Sequence, residues 1–122
     1  TIAFSKTHKA HAREFIGTNR SNTPGGIHDK ETFRCVALTM EFAGTNRTFS
    51  VCDTIDKDGD RRLTSFAPGP DGNLVRSMVA GTGKWDGMVV GNTRVELLGP
   101  FPEIKPGMFQ NCNRQTGDYK LK

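Results

Sequence analysis

The chain has 122 residues, of which 34% are hydrophobic and 25% are charged, and it contains 14 glycines and six prolines. One domain over residues 1–122 is predicted, with residues 1–32 its least defined part. No apolar run approaches the roughly 18 residues that a membrane-spanning helix requires, so we predict no membrane span. The net charge of +4 comes from scattered lysines and arginines. A nucleic-acid interface requires a dense basic face, so we predict no nucleic-acid partner.

The N-terminal part of the chain is predicted to hold one strand, Lys9–Gly17, and a loop, Ser21–Lys30, which contains Asn22, Pro24, Gly25 and Gly26. His8 and His11 are three residues apart, which puts their side chains on opposite faces of a strand and away from a shared metal ion. We therefore predict no metal site here. The sequence begins at Thr1 without an apolar leader, as expected for a processed precursor or a shortened chain.

Two alternating segments, Phe33–Phe42 and Thr48–Ile55, are predicted to form a β-hairpin around a turn at Gly44. In the second strand, one face carries mostly apolar side chains and the other carries small polar side chains and a cysteine. The apolar face, which we expect to be buried, holds Phe49, Val51, Asp53 and Ile55. The pattern therefore predicts a carboxylate, that of Asp53, in the interior of the protein.

The acidic run Asp56–Asp60 is similar to the start of an EF-hand calcium loop. Such a loop requires glycine at its sixth position and glutamate at its twelfth, where this chain has Arg61 and Ala67. An Asp-Gly pair between two strands is also one of the strongest hairpin turns. We predict a turn without a metal ion, followed by a returning strand at Arg61–Phe66.

A glycine-rich segment, Gly81–Met88, separates two further predicted strands, Asn73–Ala80 and Val89–Leu98. Its glycines permit a sharp corner, and we expect Trp85 to plug that corner by packing. The segments Met108–Asn111 and Asp118–Leu121 are predicted to form a last strand or a hairpin around Thr116-Gly117. About eight to nine short strands with frequent turns predict an all-β protein, a sandwich or a closed barrel, with little or no helix.

Four segments, in this order, carry a resemblance to known proteins: the acidic turn, the glycine-rich segment, Lys105–Gln110 and the chain end from Cys112 to Leu121. Together they resemble small secreted or periplasmic bacterial proteins of uncharacterised function, which are similar to allene oxide cyclase-like and dirigent-like β-barrels. The resemblance extends over residues 33–122, and the glycine-rich segment is its most specific part. Such barrels often have a second glycine-rich stretch after this segment, of which only Gly91 is present here.

The resemblance implies a small antiparallel β-barrel of about six to eight strands, of the calycin or allene oxide cyclase-like type. It also implies an exported protein, secreted or periplasmic. It carries over no catalytic residues, and we expect no cofactor. A barrel of about eight strands leaves just enough room inside for one small ligand.

The chain has three cysteines, Cys35, Cys52 and Cys112, so at least one stays unpaired if a disulfide forms. Their spacing matches no zinc motif. Strand parity puts Cys35 and Cys52 on the same side of the predicted hairpin, where a disulfide is expected in an oxidising compartment. Cys112 is a competing partner for either of them.

Polar side chains on the expected interior face are the candidate functional residues. Continuing the alternation through the Asp58-Gly59 turn places Arg62 and Thr64 on the face of Asp53. A buried carboxylate is costly unless it is paired. We therefore predict either a structural Asp53–Arg62 ion pair at the barrel mouth or a wet, functional pocket.

The leading hypothesis is an exported β-barrel that binds a small, partly apolar ligand in its lumen or serves as a non-enzymatic accessory protein. The candidate ligand-binding residues are Asp53, Arg62, Thr64, Trp85 and Thr93. The alternative is a cofactor-independent cyclase, isomerase or lyase, with Asp53 as acid or base and Arg62 orienting a substrate carboxylate. The third hypothesis is a homo-oligomeric interaction module, which an exposed apolar patch on the order of several hundred Å² would indicate.

Overall fold

The computed structural model describes the backbone of residues 1–71, 73–98, 103–105, 108–109 and 112–122, and the side chains of residues 1–71, 73–91 and 115–122. The strands are β1 (Ile2–Ala3), β2 (His8–Asn19), β3 (Glu31–Phe42), β4 (Thr45–Ile55), β5 (Arg61–Pro68), β6 (Leu74–Gly81), β7 (Val89–Leu98), β8 (Glu103–Lys105), β9 (Met108–Phe109) and β10 (Cys112–Lys120). In these ranges the helical structure is a single 3-10 turn at Gly83–Trp85, in the corner between β6 and β7.

The first six strands form one antiparallel sheet in which each strand pairs with the next along the chain. Its turns use Gly44 and Gly59, whose φ values of 84° and 85° are available to glycine without steric cost. Strand β7 pairs with β10, and β8 pairs with β9, both antiparallel. The all-β antiparallel class predicted from the sequence is confirmed.

The strand pairings of the described residues do not close into a barrel. They form three separate sheets, of six, two and two strands. Of the two alternatives predicted for the last segments, a strand or a hairpin around Thr116-Gly117, the hairpin is wrong, because both residues lie inside β10, opposite Arg94 and Thr93 of β7. Strand β10 is therefore one continuous strand with a register shift after Gly117.

The six-stranded sheet has two faces of different character. The inner face, defined here by the buried and half-buried side chains of its central strands, carries Cys35, Ala37, Ser50, Cys52, Thr54, Arg62, Thr64 and Phe66. The buried apolar cluster consists of Cys35, Cys52 and Phe66, with Phe15 and Phe33 packed against it. Small and polar side chains thus make up much of the inner face.

The outer face carries most of the large apolar side chains of β3 and β4. Val36 lies opposite Val51 and Leu38 opposite Phe49, and all four are exposed, Val36 by 54%. The prediction that the face of Phe49 and Val51 is buried is therefore wrong. The more apolar face was predicted to be buried, but the inner face borders a cavity. Small and polar side chains on the inner face leave the space that forms this cavity.

The exposed apolar strip of Val36, Leu38, Phe49 and Val51 is the kind of feature that would indicate an interaction module. Homo-oligomerisation stays a prediction. Nowhere in the described parts of the chain is a helix long and apolar enough to cross a membrane.

Candidate functional site

A cavity of about 370 Å³ lies against the inner face of the six-stranded sheet. Strands β2 to β6 supply most of its lining, and Gln115 of β10 borders it as well. The apolar lining consists of Phe15, Phe33, Cys35, Ala37, Cys52, Phe66 and Leu74, and the polar lining of Arg13, Asn19, Thr48, Ser50, Thr54, Arg62, Thr64, Asn73, Arg76 and Gln115. A volume of this size, with an apolar wall and some hydrogen-bonding groups, is typical of sites for small organic ligands.

The register of the sheet arranges this lining in rows across the strands, because directly opposite residues of paired strands share a face. One row consists of Arg13, Ala37, Ser50, Phe66 and Arg76, one residue from each strand from β2 to β6. The side chains of Ala37 and Ser50, near the middle of the row, are small, and an arginine lies at each end. The small residues leave space above the sheet, and the arginines give the row a positive charge at each end.

At one end of the cavity, Arg62 is neutralised by a buried carboxylate. Its guanidinium donates hydrogen bonds to both oxygens of Glu31, one of them from Nη2 to Oε1 at 3.1 Å, and Glu31 is 0% exposed. The Arg62 guanidinium also lies 4.5 Å from the centre of the Trp85 ring, on which the His28 ring stacks at 5.3 Å. The two charges of the pair therefore offset each other inside a packed cluster.

Burial alone would raise the pKa of Glu31, but the hydrogen bonds from His28 and Arg62 lower its pKa below the ordinary value. His28 Nδ1 lies 3.3 Å from the Glu31 Oε1 atom. Glu31 is therefore held in its ionised form. A carboxylate in this state serves as a structural partner of Arg62 and is poorly suited to donate a proton.

Arg76, in contrast, has no partner among the described residues. Its Nε atom is buried and makes no hydrogen bond to any of them. Burial lowers the pKa of Arg76, and the nearby charge of Arg62 lowers it further, while Glu31 acts in the opposite direction. An unpaired cation in a partly buried place is unfavourable for the free protein, so Arg76 is the feature of the cavity that packing alone does not explain.

The predicted Asp53–Arg62 ion pair is absent, and that prediction is wrong. Asp53 lies on the outer face, with its side chain 38% exposed, and accepts a hydrogen bond from Arg61 Nε at 3.2 Å. Arg62 points to the inner face because neighbouring residues of a strand alternate. The catalytic hypothesis thereby loses Asp53 as its acid or base, because the carboxylate beside Arg62 is that of Glu31.

Lys84 joins the acidic turn to the glycine-rich corner. Its Nζ atom lies 2.9 Å from Asp56, 2.6 Å from Asp58 and 3.8 Å from Asp60. An ammonium group therefore lies among the carboxylates of the turn, where a calcium loop would hold its ion. Asp56 also accepts hydrogen bonds from the backbone N–H groups of Asp58 and Asp60 and, at 2.9 Å, from Trp85 Nε1.

The corner itself requires glycine at more than one position, including Gly81, where a Cβ atom would lie 2.3 Å from the Trp85 carbonyl oxygen. Gly83 has a φ of 54°, and a Cβ atom there would lie 2.0 Å from an Asp60 carboxylate oxygen. Trp85 is fully buried in this corner and is not part of the cavity lining. Its contacts are those of a packing plug between the acidic turn, Arg62 and His28.

The other sequence-predicted site residues divide into two groups. Thr64, like Arg62, lines the cavity. The side chains of Thr93 and Cys112 lie outside the described residues. Cys35 and Cys52 form a disulfide between directly opposite positions of β3 and β4, as parity predicts, and both border the cavity.

Sequence reasoning missed Glu31 and Arg76. Arg76 had a detectable signal, because it alternates with Leu74 and Met78 on one face of β6, and an arginine between two apolar residues is unusual on a buried face. Glu31 had no such signal in the sequence, because it directly follows a loop and its partner Arg62 is 31 positions away in the chain.

Comparison of the chain with protein-family models, with curated proteins and with solved structures finds no match. The resemblance to allene oxide cyclase-like barrels therefore stays a prediction. Chemically, the cavity offers an apolar wall, several hydroxyl groups and one arginine without a described partner. This arrangement suits reversible binding of a small organic molecule.

Proposed function

We propose that this protein binds a small, partly apolar organic molecule in the cavity on the inner face of its six-stranded sheet. The observation that carries the proposal is the cavity itself, about 370 Å³ with Phe15, Phe33 and Phe66 on its wall. Aromatic and aliphatic walls with a few convergent polar groups are the usual composition of small-molecule sites. Binding requires no catalytic constellation.

Two further parts of the proposal concern the setting of this site. We propose that the protein is exported, which the Cys35–Cys52 disulfide supports because such bonds persist in oxidising compartments. We also propose that the six-stranded sheet is the main wall of a barrel that resembles the allene oxide cyclase-like proteins. Gln115 supports this, because it brings β10, a strand of a second sheet, to the border of the same cavity.

The test is binding of prodan, a neutral fluorescent probe whose emission shifts in an apolar environment. The variant Ser50→Trp places a large side chain into the cavity, and Phe49→Trp adds the same side chain to the outer face of the same strand. We expect prodan to bind the wild type and Phe49→Trp, and binding to Ser50→Trp to fall at least about tenfold.

Thermal melts of both variants establish that they are folded. Equal prodan binding by Ser50→Trp and the wild type would place the probe elsewhere, such as on the apolar strip of the outer face. That result, or no binding to the folded wild type, would contradict the proposed function.

A further inference from the structure

The charges around the cavity do not balance. Arg62 is paired with the buried Glu31, and Arg13 donates a hydrogen bond to Thr39 at 3.1 Å from an exposed position on β2. Among the described residues, Arg76 is the cavity-lining cation that has neither an ion pair nor a hydrogen bond. Whatever enters the cavity therefore meets an uncompensated guanidinium.

The surroundings of Arg76 are those of an anion site beside an apolar one. On the sheet it lies directly opposite Phe66, which is buried, and two positions from Leu74 on the same face. Arg62 and Arg76 act on each other as like charges, so the site has an excess of positive charge that an anion would neutralise. A planar guanidinium matches the two oxygens of a carboxylate in one bidentate contact.

We propose that the ligand of this cavity is a small organic carboxylate, held by an ion pair between its carboxylate and Arg76 while its apolar part packs on Phe66 and Leu74. This inference rests on the proposed function and adds the chemical class of the ligand. The sequence suggested that Arg62 orients the carboxylate of a substrate, but Arg62 is already paired with Glu31. We assign the binding of the ligand's carboxylate to Arg76 instead.

The test uses two probes of nearly equal shape, naphthaleneacetate and its uncharged amide, naphthaleneacetamide, measured by their displacement of prodan. Hydrogen bonds to a charged partner are worth more than neutral ones. We therefore expect the wild type to bind the carboxylate at least about tenfold more tightly than the amide.

The matched variants are Arg76→Gln in the cavity and Arg34→Gln on the outer face, where Arg34 pairs with Glu14. Arg76→Gln should weaken carboxylate binding at least about tenfold and change amide binding by less than about twofold. Arg34→Gln should change neither. Because Arg76→Gln removes an unpaired cation, its melting temperature should equal or exceed that of the wild type, which separates lost binding from lost folding.

The outcomes separate this inference from the proposed function. If prodan binds in the cavity but carboxylate and amide bind equally, or neither displaces prodan, the carboxylate inference is overturned and the cavity function stands. An unchanged carboxylate affinity in Arg76→Gln also overturns it. If prodan itself fails to bind the cavity, the proposed function fails and the inference fails with it.

Discussion

Glu31 and Asp53 each pair with an arginine, and the two arginines, Arg62 and Arg61, are adjacent in the sequence. The environments of the two ion pairs differ sharply. Glu31 is fully buried and holds Arg62 on the inner face, whereas Asp53 and Arg61 pair in solvent on the outer face. Exposed ion pairs contribute little because water and salt screen them. Removal of one member of a buried pair leaves the other charge uncompensated.

A pair of conservative substitutions tests this difference. We expect Glu31→Gln to lower the free energy of unfolding by about 3 kcal/mol, because Arg62 keeps its charge and loses its carboxylate. Asp53→Asn should cost less than about 1 kcal/mol. Chemical denaturation of both variants measures the two values. A larger loss in Asp53→Asn than in Glu31→Gln would contradict the assignment of inner and outer faces.

Asp56 is the carboxylate on which the acidic turn depends. Its side chain is almost fully buried. Burial acts to raise its pKa, but the Lys84 ammonium and the hydrogen bonds from Asp58, Trp85 and Asp60 lower the pKa of Asp56 from 3.8 to about 2. The ionised form is thus favoured in the folded state, so this residue links stability to pH.

Because the folded-state pKa of Asp56 is lowered, its contribution is complete above the unfolded-state value and is lost as the pH falls toward 2. We expect this residue alone to remove on the order of 2 kcal/mol of stability between about pH 5 and about pH 2. Denaturant unfolding across this range measures the slope. In Asp56→Asn the slope should be smaller, and a slope equal to that of the wild type would contradict this role.

Strand β4 shows how far a sequence pattern determines structure at the scale of one element. Alternation correctly predicts which residues share a face, including Cys52 and Thr54 on one and Phe49 and Val51 on the other. It does not state which face is covered. Because the face of Phe49 and Val51 is the more apolar one, it was predicted to be buried. The cavity lies on the opposite face, which carries the smaller residues, so that prediction is wrong.

The hairpin of β3 and β4 is the element that the sequence predicted best. Its turn, its register parity and its disulfide follow from alternation around Gly44. Thr116-Gly117 shows the opposite case, because residues typical of turns lie within a continuous strand, opposite β7. Local turn propensity there is overridden by strand pairing with a distant segment.

The disulfide across this hairpin gives a prediction for the whole element. Alkylation under denaturing conditions should label one cysteine, Cys112, without reductant and all three with it. The double variant Cys35→Ala/Cys52→Ala should lose about 3 kcal/mol of stability, since the bond closes a loop with a sequence separation of 17. Three reactive thiols in oxidised protein would contradict both the pairing and the argument for export.

At the scale of the whole molecule, composition and alternation predicted the all-β class, and the resemblance to small barrels implied antiparallel strands around a cavity. The charged residues of the cavity could not be predicted. Those residues come from distant parts of the chain: Glu31 is the first residue of β3, Arg62 begins the inner face of β5, and Arg76 lies on β6. Which of three arginines lacks a partner depends on the register of five strands. No single segment of sequence contains that information.

We propose that the inner face of the six-stranded sheet carries the ligand site and that the outer face does not. The most direct measurement is a crystal structure of the protein soaked with bromonaphthaleneacetate, in which the anomalous signal of bromine locates the probe. We expect the bromine peak inside the cavity, next to Phe66 and Leu74, with the carboxylate within hydrogen-bonding distance of Arg76. A peak on the outer face, over Val36 and Leu38, with the cavity empty of probe would contradict the account.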